Sequence, residues 1–249
     1  MPPTQDARQR YVAEQLVSNE EFWRRFGGEP DVLGLAALDL GCGQGVMSVR
    51  LARAGAARVL GVDLNPKAIA SAECHLARSH PELALTVSYV AADIAALAED
   101  GSFDLVVSKD TFEHVADLDT LLCDIHRLLR PGGRVYAGFS PLYHSPFGDH
   151  GRACLKIPWA HTLLPLPVVV AWARRCRREP FRCLADLGLN GLTPAQFRAA
   201  FERSPLETES IRYNRGDKAL LRVLSWARSW RLFERYATVS MYVVLRRLC

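Results

Sequence analysis

Lysine is scarce in this chain. Lys67, Lys109, Lys156 and Lys218 are the only four, and arginine carries almost all of the positive charge. The net charge of +4 is too mild to imply a nucleic-acid partner. No Cys-x-x-Cys occurs: the 7 cysteines, at 42, 74, 123, 154, 176, 183 and 249, are odd in number and scattered. That distribution suits reduced thiols better than disulfides or a zinc site. No apolar run is long enough to span a bilayer, and the longest, 162–173, is interrupted by proline. The opening Met-Pro-Pro-Thr-Gln-Asp lacks an apolar signal core, and neither a repeat nor a low-complexity segment is present. A cytoplasmic protein with a sizeable core is expected, because 49% of its residues are hydrophobic.

What is present is a glycine-rich turn in a strand-to-helix setting. Ala36 to Leu40 is an apolar run with one carboxylate, Asp39, and reads as a strand buried on both faces. Gly41, Gly43 and Gly45 follow, and from Val46 the spacing of Met47, Leu51 and Ala54 turns helical. A dinucleotide fingerprint would read G-x-G-x-x-G, whereas here Val46 stands where the third glycine belongs. A carboxylate at the end of such a strand suits a cationic ligand better than a pyrophosphate. A second strand, 58–63, ends in Asp63, and Asn65-Pro66 starts a helix. Asp63 lies at the distance expected of an acid that grips a ribose diol, or is a solvated strand-end acid. Asp93, after a third strand at about 85–90, is either a ligand contact or a helix N-cap.

The loop resembles motif I of the class I S-adenosylmethionine-dependent methyltransferases, and Leu-Leu-Arg-Pro-Gly-Gly at 128–133 resembles the segment before that family's fifth strand. The resemblance implies S-adenosylmethionine as cofactor. It places Asp39 and Gly41 at the methionine end, with Cys42, Gly43 and Gly45 in the loop and Ser108 in the segment leaving the fourth strand. It also places Asp63 at the ribose, Asp93 with Ile94 at the adenine, and Leu64 among the cofactor-binding residues. A helix over 5–26 covers the cofactor in similar enzymes, and Tyr11 could supply an aromatic face. Asn-Pro-Pro-Tyr is absent after the fourth strand, as is a Pro-Cys pair, which counts against base-amine and C5-pyrimidine chemistry.

Strands and helices alternate up to residue 140, which predicts a parallel sheet with helices on both faces. The expected fold is an α/β, three-layer Rossmann-like methyltransferase sandwich, seven-stranded and mostly parallel with an antiparallel last strand. Residues 1–30 form a helical cover, 31–140 the cofactor-binding core, 141–204 a helical cap insertion and 205–249 the rest of the sheet. Within the insertion lie helices near 168–178, where Arg174, Arg175, Arg177 and Arg178 cluster, and after Thr193-Pro194. Asp217 to Arg235 is amphipathic, with Leu220, Leu221, Leu224 and Trp230 among arginines.

The sulfonium already activates its methyl group, so transfer needs alignment above all. A hydroxyl acceptor would gain from a base, and His150, His144 and His114 are the candidates in that order. No metal site is expected. The acceptor is read as a small molecule; the receiving atom stays open, with oxygen slightly favoured over nitrogen or carbon. Rival readings are a lipid or quinone methyltransferase at a membrane surface and a non-catalytic S-adenosylmethionine-binding or assembly protein; nucleic acid comes third. Oligomeric state is not legible.

Overall fold

The structure, a computed structural model, describes residues 5–151, 156–176, 188–214, 216 and 219–248. In chain order its elements are α1 (Gln5–Phe26), β1 (Ala36–Leu40), α2 (Val46–Arg53), β2 (Arg58–Asp63), α3 (Pro66–Ser79), β3 (Val87–Ala91), β4 (Phe103–Lys109), α4 (Leu118–Leu128) and β5 (Leu129–Phe139). Then come α5 (Ala160–Leu163), α6 (Leu166–Cys176), α7 (Pro194–Arg203), β6 (Glu207–Tyr213), α8 (Ala219–Arg228), α9 (Glu234–Ala237) and β7 (Met241–Arg246). Arg177, Arg178 and Asp217, which the sequence reading used, lie outside the described residues.

The seven strands form one sheet in the order β3-β2-β1-β4-β5-β7-β6, with the last strand antiparallel. β1 pairs in parallel with both β2 and β4, and β2 with β3. The chain therefore leaves β1 toward one side, returns, and continues on the other. That reversal makes a crevice at the carboxyl ends of β1 and β4, where open α/β sheets take ligands. Strands β1 and β4 are buried along nearly their whole length, as strands covered on both faces must be.

The chain divides into two compact units. One holds the residues up to Lys109 with Cys123–Tyr136 and the residues from Leu245; the other holds Asp110–Leu122 and Ala137–Val244. In the first, Phe22, Trp23 and Phe26 of α1 pack edge-on around one another, and Trp23 and Phe26 also meet Tyr136 at 5.6 and 5.3 Å. Leu16 on the same helix is exposed, whereas Phe22 is in the core. In the second unit Phe139, Phe197 and Phe201 form a buried aromatic row with Phe112. The helix after Thr193 begins with the expected cap: Thr193 and Gln196 exchange hydrogen bonds as a capping box.

Two expectations need correction. Pro131-Gly132-Gly133 is not a free turn before the fifth strand; β5 begins at Leu129, directly after α4. Gly132 N–H donates to Arg247 O and Arg247 N–H to Gly133 O, so the glycines are paired with the chain's last segment. The Arg247 guanidinium also donates to the carbonyls of His126 and Leu129, covering helix-end acceptors that a loop would otherwise satisfy. The third strand starts at Val87, because Leu85 is spent in a turn closed by Thr86 N–H on Leu83 O. Within the amphipathic stretch α8 ends at Arg228, where Ser229 Oγ turns back onto Trp226 O.

Candidate functional site

The carboxyl end of β1 builds the site. Gly41, Gly43 and Gly45 all have φ between 54 and 77°, so each occupies the left-handed region that glycine enters without strain. Gly41 and Cys42 donate their N–H groups to Val62 O, which locks the loop onto β2. A Cβ on Gly45 would lie 2.2 Å from Tyr89 Oη, and that hydroxyl donates to Gly45 O. Gly61 in β2 is confined by the same ring, with Tyr89 Cδ1 2.5 Å from its would-be Cβ. Tyr89 thus crosses beneath the loop and accounts for two glycines. The sequence reading missed it.

Asp39 is buried inside this turn and accepts from Ser48 Oγ of α2. Burial is the main cause that pushes its carboxyl up to about 6; the Ser48 bond and the Lys109 charge oppose the rise. Ser48, a polar residue on the buried side of α2, was the signal for this partner. Cys42 is also buried, and burial with Asp39 and Asp63 pushes its thiol upward, which makes it a poor nucleophile.

Asp63, at the end of β2, accepts Gly43 N–H on one oxygen at 3.0 Å and Asn65 N–H on the other at 2.8 Å. Asn65 in turn caps α3 through Lys67 N–H. Beside Asp63, Leu64 is 75% exposed, an apolar surface next to a hydrogen-bonding acid. Asp93 caps the short helical turn Ile94–Ala96 by accepting Ala95 N–H, so its N-cap role is present. Ile94 is buried, and its carbonyl is held by Arg127, which also binds Leu97 O. Arg127 fixes this turn, and nothing in its local pattern marks it out.

Ser108, at the end of β4, is buried and donates to Leu40 O across to β1. Lys109 Nζ reaches Gln15 Oε1 and Asn19 Oδ1, both at 2.9 Å, and so ties α1 to the strand end. One turn earlier on α1, Tyr11 Oη lies 3.6 Å from where a Gly43 Cβ would sit. Burial, then Asp63 and Asp39, raise the Tyr11 hydroxyl above its ordinary value. α1 therefore covers the glycine loop with an aromatic hydroxyl.

The residues present fit S-adenosylmethionine. At Gly43 the only atom within 4 Å of a would-be Cβ among the described residues is Tyr11 Oη at 3.6 Å, Asp39 is a buried carboxylate that a cation would stabilise, and Asp63 retains lone pairs for a diol. The exposed Leu64 supplies an apolar face for a ring.

The candidate bases sit in the second unit. The His114 and His150 rings lie 5.5 Å apart. The His144 ring instead meets those of Tyr143 and Tyr236 edge-on. Each of the three imidazoles uses one nitrogen on a main-chain carbonyl: His114 Nδ1 on Gly188 O, His144 Nε2 on Gly191 O and His150 Nε2 on Pro141 O. A carbonyl only accepts, so that nitrogen carries the proton. The opposite nitrogen, Nδ1 in His150 and His144 and Nε2 in His114, is the one able to act as a base. Burial lowers the affinity of His144 for a second proton and keeps it neutral.

Residues 38–137 match the family model described as "Methyltransferase domain". A ubiquinone biosynthesis O-methyltransferase of Sinorhizobium fredii is 38% identical over 130 residues, 52% of this chain and 50% of that protein. The chain spans about half the length of such curated relatives. Among solved structures, an S-adenosylmethionine-dependent methyltransferase from Mesorhizobium loti aligns with TM-score 0.60 at 20% identity, covering 93% of this chain and all of the other. Geranyl diphosphate C-methyltransferase from Streptomyces coelicolor aligns at 0.61 and 17%, covering all of this chain and 88% of the other. Among the described residues no helix is long and apolar enough to cross a membrane. Residues 38–137 are similar to a methyltransferase domain, and the sheet to which they belong has the fold of the S-adenosylmethionine-dependent methyltransferases.

Proposed function

We propose that the chain moves a methyl group from S-adenosylmethionine to an oxygen of a small-molecule acceptor. The observation that carries this reading is the shared hydrogen bonding of Gly43 and Asp63, a glycine cradle and an acid joined at the carboxyl ends of β1 and β2. The O-methyltransferase relatives support oxygen as the receiving atom. When bound, the cofactor supplies a sulfonium-activated methyl, so the protein's task is to hold two reactants in line; such alignment contributes roughly 7–11 kcal/mol to lowering the barrier. Asp39 and Gly41 hold the methionine end, Cys42, Gly43 and Gly45 present backbone to it, and Asp63 takes the ribose diol. Leu64, Asp93 and Ile94 bound the adenine side, Ser108 braces β4 against β1, and Tyr11 closes over the loop. His150 takes the acceptor's proton on Nδ1, with His144 and His114 the next candidates. We assign cofactor binding to 31–140, its cover to 1–30, acceptor choice to 141–204 and the sheet's completion to 205–249.

The test is to incubate the chain with methyl-labelled S-adenosylmethionine and a panel of phenols, catechols, amines and carbon acids. Label recovered as an aryl or alkyl methyl ether supports the reading. Label on nitrogen or carbon overturns the choice of oxygen. Cofactor binding without transfer to any acceptor favours a binding protein instead.

A further inference from the structure

The outer side of α8 and the turn behind it present apolar side chains to solvent. Leu220, Val223, Trp226, Trp230, Leu232 and Phe233 are all at least half exposed, Trp226 at 66% and Leu232 at 85%. Trp226 and Trp230 are four residues apart with ring centroids 5.6 Å from each other, and Trp230 meets Phe233 at 6.4 Å, so the rings form a row. The inward side is fixed by buried Leu224 and by Arg228, which stacks 3.8 Å over the Tyr213 ring and pairs with Glu234. Residues 219–235 carry four arginines, at 222, 228, 231 and 235, and a single carboxylate, Glu234, which Arg198 and Arg228 already engage.

We propose that this face seats the protein on the surface of an anionic phospholipid bilayer. A short amphipathic helix with tryptophan, leucine and phenylalanine on one side and arginine along its flank lies in the membrane interface without crossing it. Indole suits that depth because its ring is apolar and its N–H still reaches water or headgroup oxygen. Arginine extends its stem along the apolar surface and its charge to lipid phosphate. A second copy of the chain fits less well, since a two-fold contact would set these arginines against their own counterparts. A nucleic acid could stack on the tryptophans, but Leu220, Val223 and Leu232 offer nothing to a base or a phosphate. The proposal does not depend on methyl transfer and is tested without cofactor.

The experiment is co-sedimentation of the full chain with phosphatidylcholine vesicles, plain or carrying about one third phosphatidylglycerol, at low and high salt. Binding should require phosphatidylglycerol and weaken with salt. Trp226→Ser with Trp230→Ser should reduce partitioning at least about tenfold. Arg222→Gln with Arg231→Gln should reduce it roughly fivefold for each residue changed. If the tryptophan variant loses its helical circular dichroism, the arginine variant decides, because it alters exposed charge alone. Several results would overturn the proposal. They are no sedimentation with anionic vesicles, equal binding by parent and both variants, a dimer that the tryptophan variant breaks, or capture of single-stranded DNA in place of vesicles.

Discussion

Asp63 accepts the main-chain N–H of Gly43 at 3.0 Å, twenty residues earlier in the chain. Its other oxygen accepts Asn65 N–H at 2.8 Å, so one carboxylate sets both the glycine loop and the start of α3. A carboxylate offers about four lone-pair positions, and these bonds use two of them. Among the described residues the remaining positions accept no hydrogen bond, and two such positions are what a ribose diol requires.

The Tyr89 ring makes a prediction about Gly61, which sits mid-strand in β2, where an ordinary side chain would fit the backbone. An added Cβ would come within 2.5 Å of Tyr89 Cδ1 and 3.0 Å of Cys42 Sγ. Gly61→Ala should cost about 1–3 kcal/mol in urea unfolding, the range for forced overpacking. In a Tyr89→Ala background the same change should cost clearly less. Equal costs in the two backgrounds would mean that Tyr89 does not enforce the glycine.

Asp39 predicts a pH dependence. Its carboxyl is raised from 3.8 to about 6 in the folded chain, chiefly by burial. The folded state then holds a proton that the unfolded state has released, so this group's contribution to stability falls as pH rises from about 4 to about 6. The size is at most about 3 kcal/mol. Above pH 7 both states are ionised and the slope vanishes. Asp39→Asn, which keeps an acceptor for Ser48, should remove that part of the pH profile. A cationic ligand beside Asp39 would favour its ionised form, so affinity for S-adenosylmethionine should rise across the same window in the parent. Calorimetry in buffers of different ionisation enthalpy would detect the accompanying proton release.

His150 donates through Nε2 to Pro141 O, which leaves Nδ1 as the basic atom. His150→Gln can keep a donor for that carbonyl while removing the base. It should lower kcat by about 10²-fold or more and leave cofactor affinity unchanged. An unaltered rate would remove His150 from the reaction.

Much of this was readable from local pattern. The boundaries of β1 and β2, the Asn65-Pro66 start of α3, the Asp117 bonds to Thr120 that open α4, and the Thr193 capping box all follow from neighbouring residues. What escaped depends on residues far apart in sequence. Tyr89 fixes Gly45 from 44 positions away, Arg247 turns Pro131-Gly132-Gly133 into a strand from more than a hundred, and Lys109 reaches back to Gln15 and Asn19. Periodicity within one element carries no record of such partners. The same holds for the imidazoles, whose proton positions are set by the carbonyls of Gly188, Gly191 and Pro141.

The most direct test of the central claim is a calorimetric titration of the parent chain and of Asp63→Ala with S-adenosylmethionine. The parent should bind at one saturable site. The variant, losing hydrogen bonds to a charged group, should bind about 1.5–3 kcal/mol more weakly, roughly 10- to 150-fold. Equal affinity in the two proteins, or tight binding of NAD with none of S-adenosylmethionine, would contradict it.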